Sequence, residues 1–91
     1  MDHRVKMSNE RIMISVDGIF AAIAEKKKVS FTYYEYAPDK QNVHRHNGQI
    51  YVVSPYDMIW NDDYYYFTAF DSKAGIMKIY RADRVDQLTI L

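Results

Sequence analysis

The stretch that decides the fold is aromatic and lies in the second half of the chain. It runs Tyr51-Val52-Val53-Ser54-Pro55-Tyr56, then Trp60-Asn61-Asp62-Asp63-Tyr64-Tyr65-Tyr66-Phe67, then Tyr80-Arg81-Ala82-Asp83-Arg84. Aromatic and β-branched side chains suit a pleated, half-buried surface, and short polar breaks separate the runs. Asn61-Asp62-Asp63 predicts one hairpin loop and Ser72-Lys73-Ala74-Gly75 a second. Strands are therefore expected over 50–54, 58–60, 64–70 and 76–80. Pro55 offers no N–H to a ladder and marks an edge, a bulge or a sharp bend. Residues 81–85 are too short and charged for a full strand and predict a turn or a single helical turn; 88–91 form a last short strand.

Upstream of this region the period is also two. Val29, Phe31 and Tyr33 point one way and Ser30, Thr32 and Tyr34 the other, which predicts a half-buried strand ending near Tyr36. Polar residues at 38–42 and the tight-turn pair Asn47-Gly48 follow it. Before the strand, Ser15 or Asp17 offers an N-cap, and Ile19, Phe20, Ala22 and Ile23 make one apolar helical face. A helix is expected over 16–27, with Lys26, Lys27 and Lys28 at its positively favoured C-terminal end. Residues 1–14 show no sustained period and are expected to be the remnant of an upstream linker, leaving a domain over 15–91. The plan is mainly β (α+β): a small SH3-like or Sm-like β-barrel of about five antiparallel strands with one N-terminal helix. Its expected core is Val29, Phe31, Val52, Phe67, Ala69, Ile79, Leu88 and Ile90, with Ile19, Phe20 and Ile23 packing the helix onto it.

Composition narrows the function. Ninety-one residues make one small domain, and 12 basic against 12 acidic residues leave no net charge. A protein that wraps duplex DNA with its whole surface carries a basic excess, so any anion must meet a local cluster. The absence of cysteine rules out disulfides and thiolate metal sites. No apolar run approaches a membrane span, and no signal segment opens the chain. These features predict a soluble, cytoplasmic protein without membrane association.

The order of helix, Val29-Ser30-Phe31-Thr32-Tyr33, Val53-Ser54-Pro55-Tyr56, Tyr65-Tyr66-Phe67 and Tyr80-Arg81-Ala82-Asp83-Arg84 resembles the WYL domain family. The tripeptide that names the family, Trp-Tyr-Leu, falls on Tyr65-Tyr66-Phe67. The resemblance covers about residues 16 to 91. It implies an Sm-like, SH3-type barrel that senses a ligand inside a bacterial transcriptional regulator, between a winged helix-turn-helix and a C-terminal extension. Nucleotides or nucleic-acid fragments are the ligands it implies. Duplex DNA would then be reached only through a helix-turn-helix domain that this chain does not contain.

Within that frame the candidate ligand-binding residues are Arg81, Arg84, Tyr66, Ser54, Tyr33 and Arg45. Two arginines three apart on a post-strand turn can hold a phosphate together, unless one of them pairs with Asp83 or Asp86 and only fixes the turn. Tyr66 sits mid-strand, and an accessible phenol ring can stack on a base. Ser54 lies at the expected bend, while Tyr33 and Tyr51 are expected to flank the same pocket mouth, with Arg45 near its rim. His44 and His46 share a face of an extended strand, but no third ligand is identifiable, so neither metal nor cofactor is expected. Asp62 and Asp63 occupy a hairpin turn instead of a cleft, and no nucleophile stands with a base, so catalysis is not expected. The competing readings are a stand-alone Sm-like module for RNA or single-stranded DNA, and a peptide-binding or oligomerisation barrel. A homodimer is expected through apolar surface near residues 12–14 and Leu91.

Overall fold

A computed structural model describes the backbone of residues 3–36, 42–44 and 48–91, with side chains over 10–34 and 48–91. Among the described residues one helix, α1 (His3–Glu25), precedes six strands: β1 (Val29–Tyr36), β2 (Asn42–His44), β3 (Tyr51–Asn61), β4 (Tyr64–Asp71), β5 (Ile76–Arg81) and β6 (Val85–Ile90). A 3-10 turn, Ala82–Arg84, joins β5 to β6. Among the described residues, no helix is long and apolar enough to cross a membrane.

The helix starts well before residue 16. Ile12, Val16, Ile19 and Ile23 recur at helical spacing and extend the apolar stripe a full turn upstream, so Ser15 is a buried helical residue and not a cap. Phe20, expected on that stripe, is exposed, and Ala22 takes the buried position beside Ile19. Gly18 lets the helix approach β6 closely, since a Cβ there would stand 2.6 Å from Leu88 Cδ2. The helix ends on Lys26 at φ 57°, with Lys27 N–H donating to the Ala22 carbonyl at 2.9 Å and Lys26 N–H to that of Ile23 at 3.2 Å. That is a Schellman ending built on a lysine.

All strand pairs are antiparallel. β1 is central: β2, β3 and β6 all pair with it. β3 continues through Pro55 with a register shift between Pro55 and Asp57, so its first part pairs with β1 and its remainder with β4. Of the edge, bulge or bend expected at the proline, the structure has a bulge, and the two strands expected on either side of it are one long strand. β4 pairs with β5, and the 3-10 turn carries the chain back to β6. The sheet is strongly bent but not closed, because the 3-10 turn bridges the β5–β6 corner without strand pairing there among the described residues.

The core holds Val29, Phe31, Tyr33, Val53, Phe67, Ala69, Tyr80, Ala82 and Val85 against Val16, Ile19 and Ala22. Four expected core residues differ. Val52, Ile79 and Ile90 are exposed, and Leu88 is only partly buried; Val53 and Tyr80 take the inward positions of β3 and β5. Both parities of these strands carry apolar residues, so alternation alone does not choose the buried one. The bends and the pairing of Tyr80 with Phe67 do.

Candidate functional site

The open corner of the sheet gathers the arginines. Arg81 closes β5, and its backbone N–H points away from β4 and donates to Tyr33 Oη at 2.9 Å. Its guanidinium forms a fork on Asp83, Nε to Oδ1 at 2.9 Å and Nη2 to Oδ2 at 2.6 Å. The two side chains are only 21% and 11% exposed. The guanidinium also lies over the Tyr64 ring, 3.9 Å from its centroid, a cation–π contact. Hydrogen bonding to Asp83 holds Arg81 still more firmly in its charged form. Of the two alternatives posed by the spacing, Arg81 thus takes the pairing with Asp83, and the carboxylate offsets charge that would otherwise repel Arg84.

Tyr33 is the hub beneath this turn. Its ring is buried among Phe31, Tyr51 and Tyr80, with the Tyr33–Tyr80 centroids 5.5 Å apart and the Tyr33–Tyr51 centroids 6.1 Å apart. Burial pushes its phenol up, while the Arg81 N–H and the positive charge of Arg84 pull it back. Arg84 therefore lies within electrostatic reach of the same hydroxyl, half-buried on the 3-10 turn. Tyr33 is not a rim residue: it supports the turn from below and offers a ligand at most its hydroxyl.

Tyr66 stands directly across from Arg81 on β4, so the two share the outer face of the sheet. Tyr64, two residues back, shares that face and carries the Arg81 stack. Ser54 is on the same face but opposes Phe70, four residues along β4 from Tyr66, which places it roughly 13 Å away along the strand. It does not join the cluster. Arg45 lies outside the described residues, as do the side chains of His44 and His46. The structure thus brings together Arg81, Arg84, Tyr33 and Tyr66. The spacing pointed to the two arginines, while Tyr64 and Asp83 complete the site. Asp83 was foreseeable only as a turn partner, and Tyr64 only through cross-strand register.

A second polar contact lies on the other side of β1. Tyr34 Oη donates to Asp86 Oδ2 at 3.1 Å, and Thr32 Oγ1 donates to the Asp86 carbonyl at 3.3 Å. Burial and the hydrogen bond to the Asp86 carboxylate raise the Tyr34 phenol. Asp86 is therefore engaged with β1.

One helix packed on a single bent antiparallel sheet, with a half-buried arginine cluster at its open corner, defines a small α+β domain. The WYL domain model matches residues 15–90, and the chain belongs to that family. As a member it is a regulatory domain of the type carried by transcriptional regulators. Among solved structures it is similar to part of proteasome accessory factor B/C (PafBC) of Arthrobacter aurescens, with a TM-score of 0.67 and 23% identity. That likeness, one of fold, covers 87% of this chain but only 11% of the other. No curated protein matches the chain in sequence.

Proposed function

We infer that the chain is the ligand-sensing domain of a bacterial transcriptional regulator, cytoplasmic, and that its ligand is a nucleotide or a short single-stranded nucleic acid. The observation that carries this reading is the Arg81–Asp83–Arg84 turn bordered by Tyr64 and Tyr66 on one sheet face. Cation and aromatic ring side by side suit a ligand that combines phosphate with a flat base. Asp83 and Tyr64 pin Arg81 before any ligand arrives, so little side-chain entropy is lost there on binding. Arg84, half-buried on the same turn and within electrostatic reach of the Tyr33 hydroxyl, is the second cation this reading assigns to the phosphate. No step of bond making or breaking belongs to this reading: the domain binds, and duplex DNA contact falls to a helix-turn-helix domain elsewhere.

The test is a calorimetric titration with common nucleotides and short single-stranded oligonucleotides at two salt concentrations. Saturable binding that weakens with salt and falls about tenfold in Arg84→Ala supports the reading. Absence of binding to every member of that set, or binding indifferent to Arg84, overturns it.

A further inference from the structure

Among the described strands β2, β5 and β6 each pair on one side only, and the two whose side chains are described, β5 and β6, are treated differently. β6 is blunted. Gln87 sits at φ 55°, the β1–β6 register shifts between Ser30 and Thr32, and α1 packs beside the strand at Gly18 and Leu88. A groove of about 580 Å³ separates helix and strand there, but the bulge breaks the ladder that an added strand would need. β5 has none of these devices. It pairs with β4 in unbroken register from Ile76 to Arg81, and no described strand lies on its other side.

The available backbone groups of β5 can be identified. Arg81 N–H points away from β4, toward Tyr33, and strand alternation turns the N–H and C=O groups of Ile79 and Met77 the same way. Their side chains, with that of Ile76, are exposed; Ile79 is 65% accessible. A lysine commonly protects such an edge, but Lys78 is drawn back onto Asp71 at 3.1 Å. Arg81 is likewise committed to Asp83. The strand's own cations are therefore neutralised within the domain, and the edge meets a copy of itself without like-charge opposition.

We propose that β5 is a self-association edge: two copies of this chain pair antiparallel through Met77 and Ile79 and form a two-fold dimer with a continuous sheet. A register that sets Ile79 opposite its symmetry mate staggers the two Lys78 side chains. Because β6 is blunted, pairing β5 of one copy with β6 of the next is disfavoured, and pairing β5 with itself uses that edge in both copies, so the two-fold assembly closes at two. In that register Met77 stands opposite Arg81 of the second copy, whose N–H stays on Tyr33, so the new ladder rests chiefly on the Ile79 pair; the proposal does not require the arginines to bind a ligand.

The experiment is sedimentation of the full chain across a micromolar to millimolar series, with amide hydrogen exchange read at Met77 and Ile79. The expected result is a monomer–dimer equilibrium in which those two amides gain protection as dimer forms. Ile79→Lys places a charge on a side chain that is already solvent-exposed, so the monomer fold persists. It should raise the dimer dissociation constant by roughly a hundredfold. Ile14→Lys, on the exposed helix surface beside β6, should leave dimerisation unchanged. A monomer throughout the series overturns the proposal. So does a dimer that dissociates in Ile14→Lys and not in Ile79→Lys, and so does a ring or open polymer.

Discussion

The domain uses aromatic rings in two ways, and on β4 the boundary between them is the single step from Tyr66 to the buried Phe67. Inside, Tyr33, Tyr51 and Tyr80 close around Phe31 and Phe67, with Phe31 and Tyr51 stacked at 5.6 Å and Phe67 and Tyr80 at 5.4 Å. Outside, Tyr64 and Tyr66 sit beside Arg81, and Tyr56 and Trp60 are exposed. The same residue type serves as core filler at one parity and as solvent-facing surface at the other. Nine tyrosines are more than a core of this size needs, and the sheet sorts them by face.

The sharpest way to break this distinction is to truncate one ring from each set. Phe67→Ala removes a fully buried ring from the inner cluster and should cost about 3–5 kcal/mol, a large part of the stability of so small a domain. Tyr66→Ala, one residue away but on the outer face, should cost under about 1 kcal/mol in the same denaturant titration. Comparable losses from both would show that the outer face is also packed core.

Arg81 lies at the meeting point of the two sets. Arg81→Ala leaves a largely buried Asp83 carboxylate without its partner and should cost about 1–2 kcal/mol, whereas the Arg81→Ala/Asp83→Asn double variant should recover part of that loss. If the single variant is as stable as the parent, the fork contributes nothing and Arg81 is available as a ligand clamp.

The inner set also predicts an alkaline limit. The folded Tyr33 phenol titrates above its ordinary value because it is buried, so the domain keeps its stability below about pH 10 and loses it as pH rises further. Tyr33→Phe should move that loss upward in an alkaline unfolding titration without abolishing it, because the Tyr34 phenol is raised as well. At neutral pH the same variant should be less stable by about 1–2 kcal/mol, because the Arg81 N–H loses its acceptor.

The smallest expected effect is at the β4–β5 turn. Asp71 is held below the ordinary carboxylate value, first by its hydrogen bond to Lys78 and then by the backbone N–H groups of Ala74 and Lys73. Its contribution is present above about pH 4 and fades as pH falls through the lowered value. Asp71→Asn should flatten the acid limb of the stability profile slightly and leave the alkaline limb unchanged.

Much of this was legible in the chain. The turns at Asn61-Asp62-Asp63 and Ser72-Lys73-Ala74-Gly75, the helical turn after Tyr80 and the strand at Val29 all follow from local chemistry. Parity in β3 and β5 did not, because Val52-Val53 and Ile79-Tyr80 put apolar residues on both faces and a bulge near Pro55 resets the count. Helix length was hidden because charged residues dilute the stripe that begins at Ile12. In the site, the spacing brought Arg81 and Arg84 together. Only register shows that Tyr64 and Tyr66 flank Arg81 while Ser54 stands apart, since register is a property of the folded sheet.

The central claim is that the outer tyrosine–arginine face binds a ligand while the inner set only supports it. The most direct measurement is the affinity of a short single-stranded oligonucleotide for the parent, Tyr66→Ala and Arg84→Ala, each checked for unchanged thermal stability. The account predicts that both variants keep the parent melting temperature within a few degrees and lose roughly tenfold or more in affinity. Unchanged affinity in both variants, with the fold intact, would contradict it.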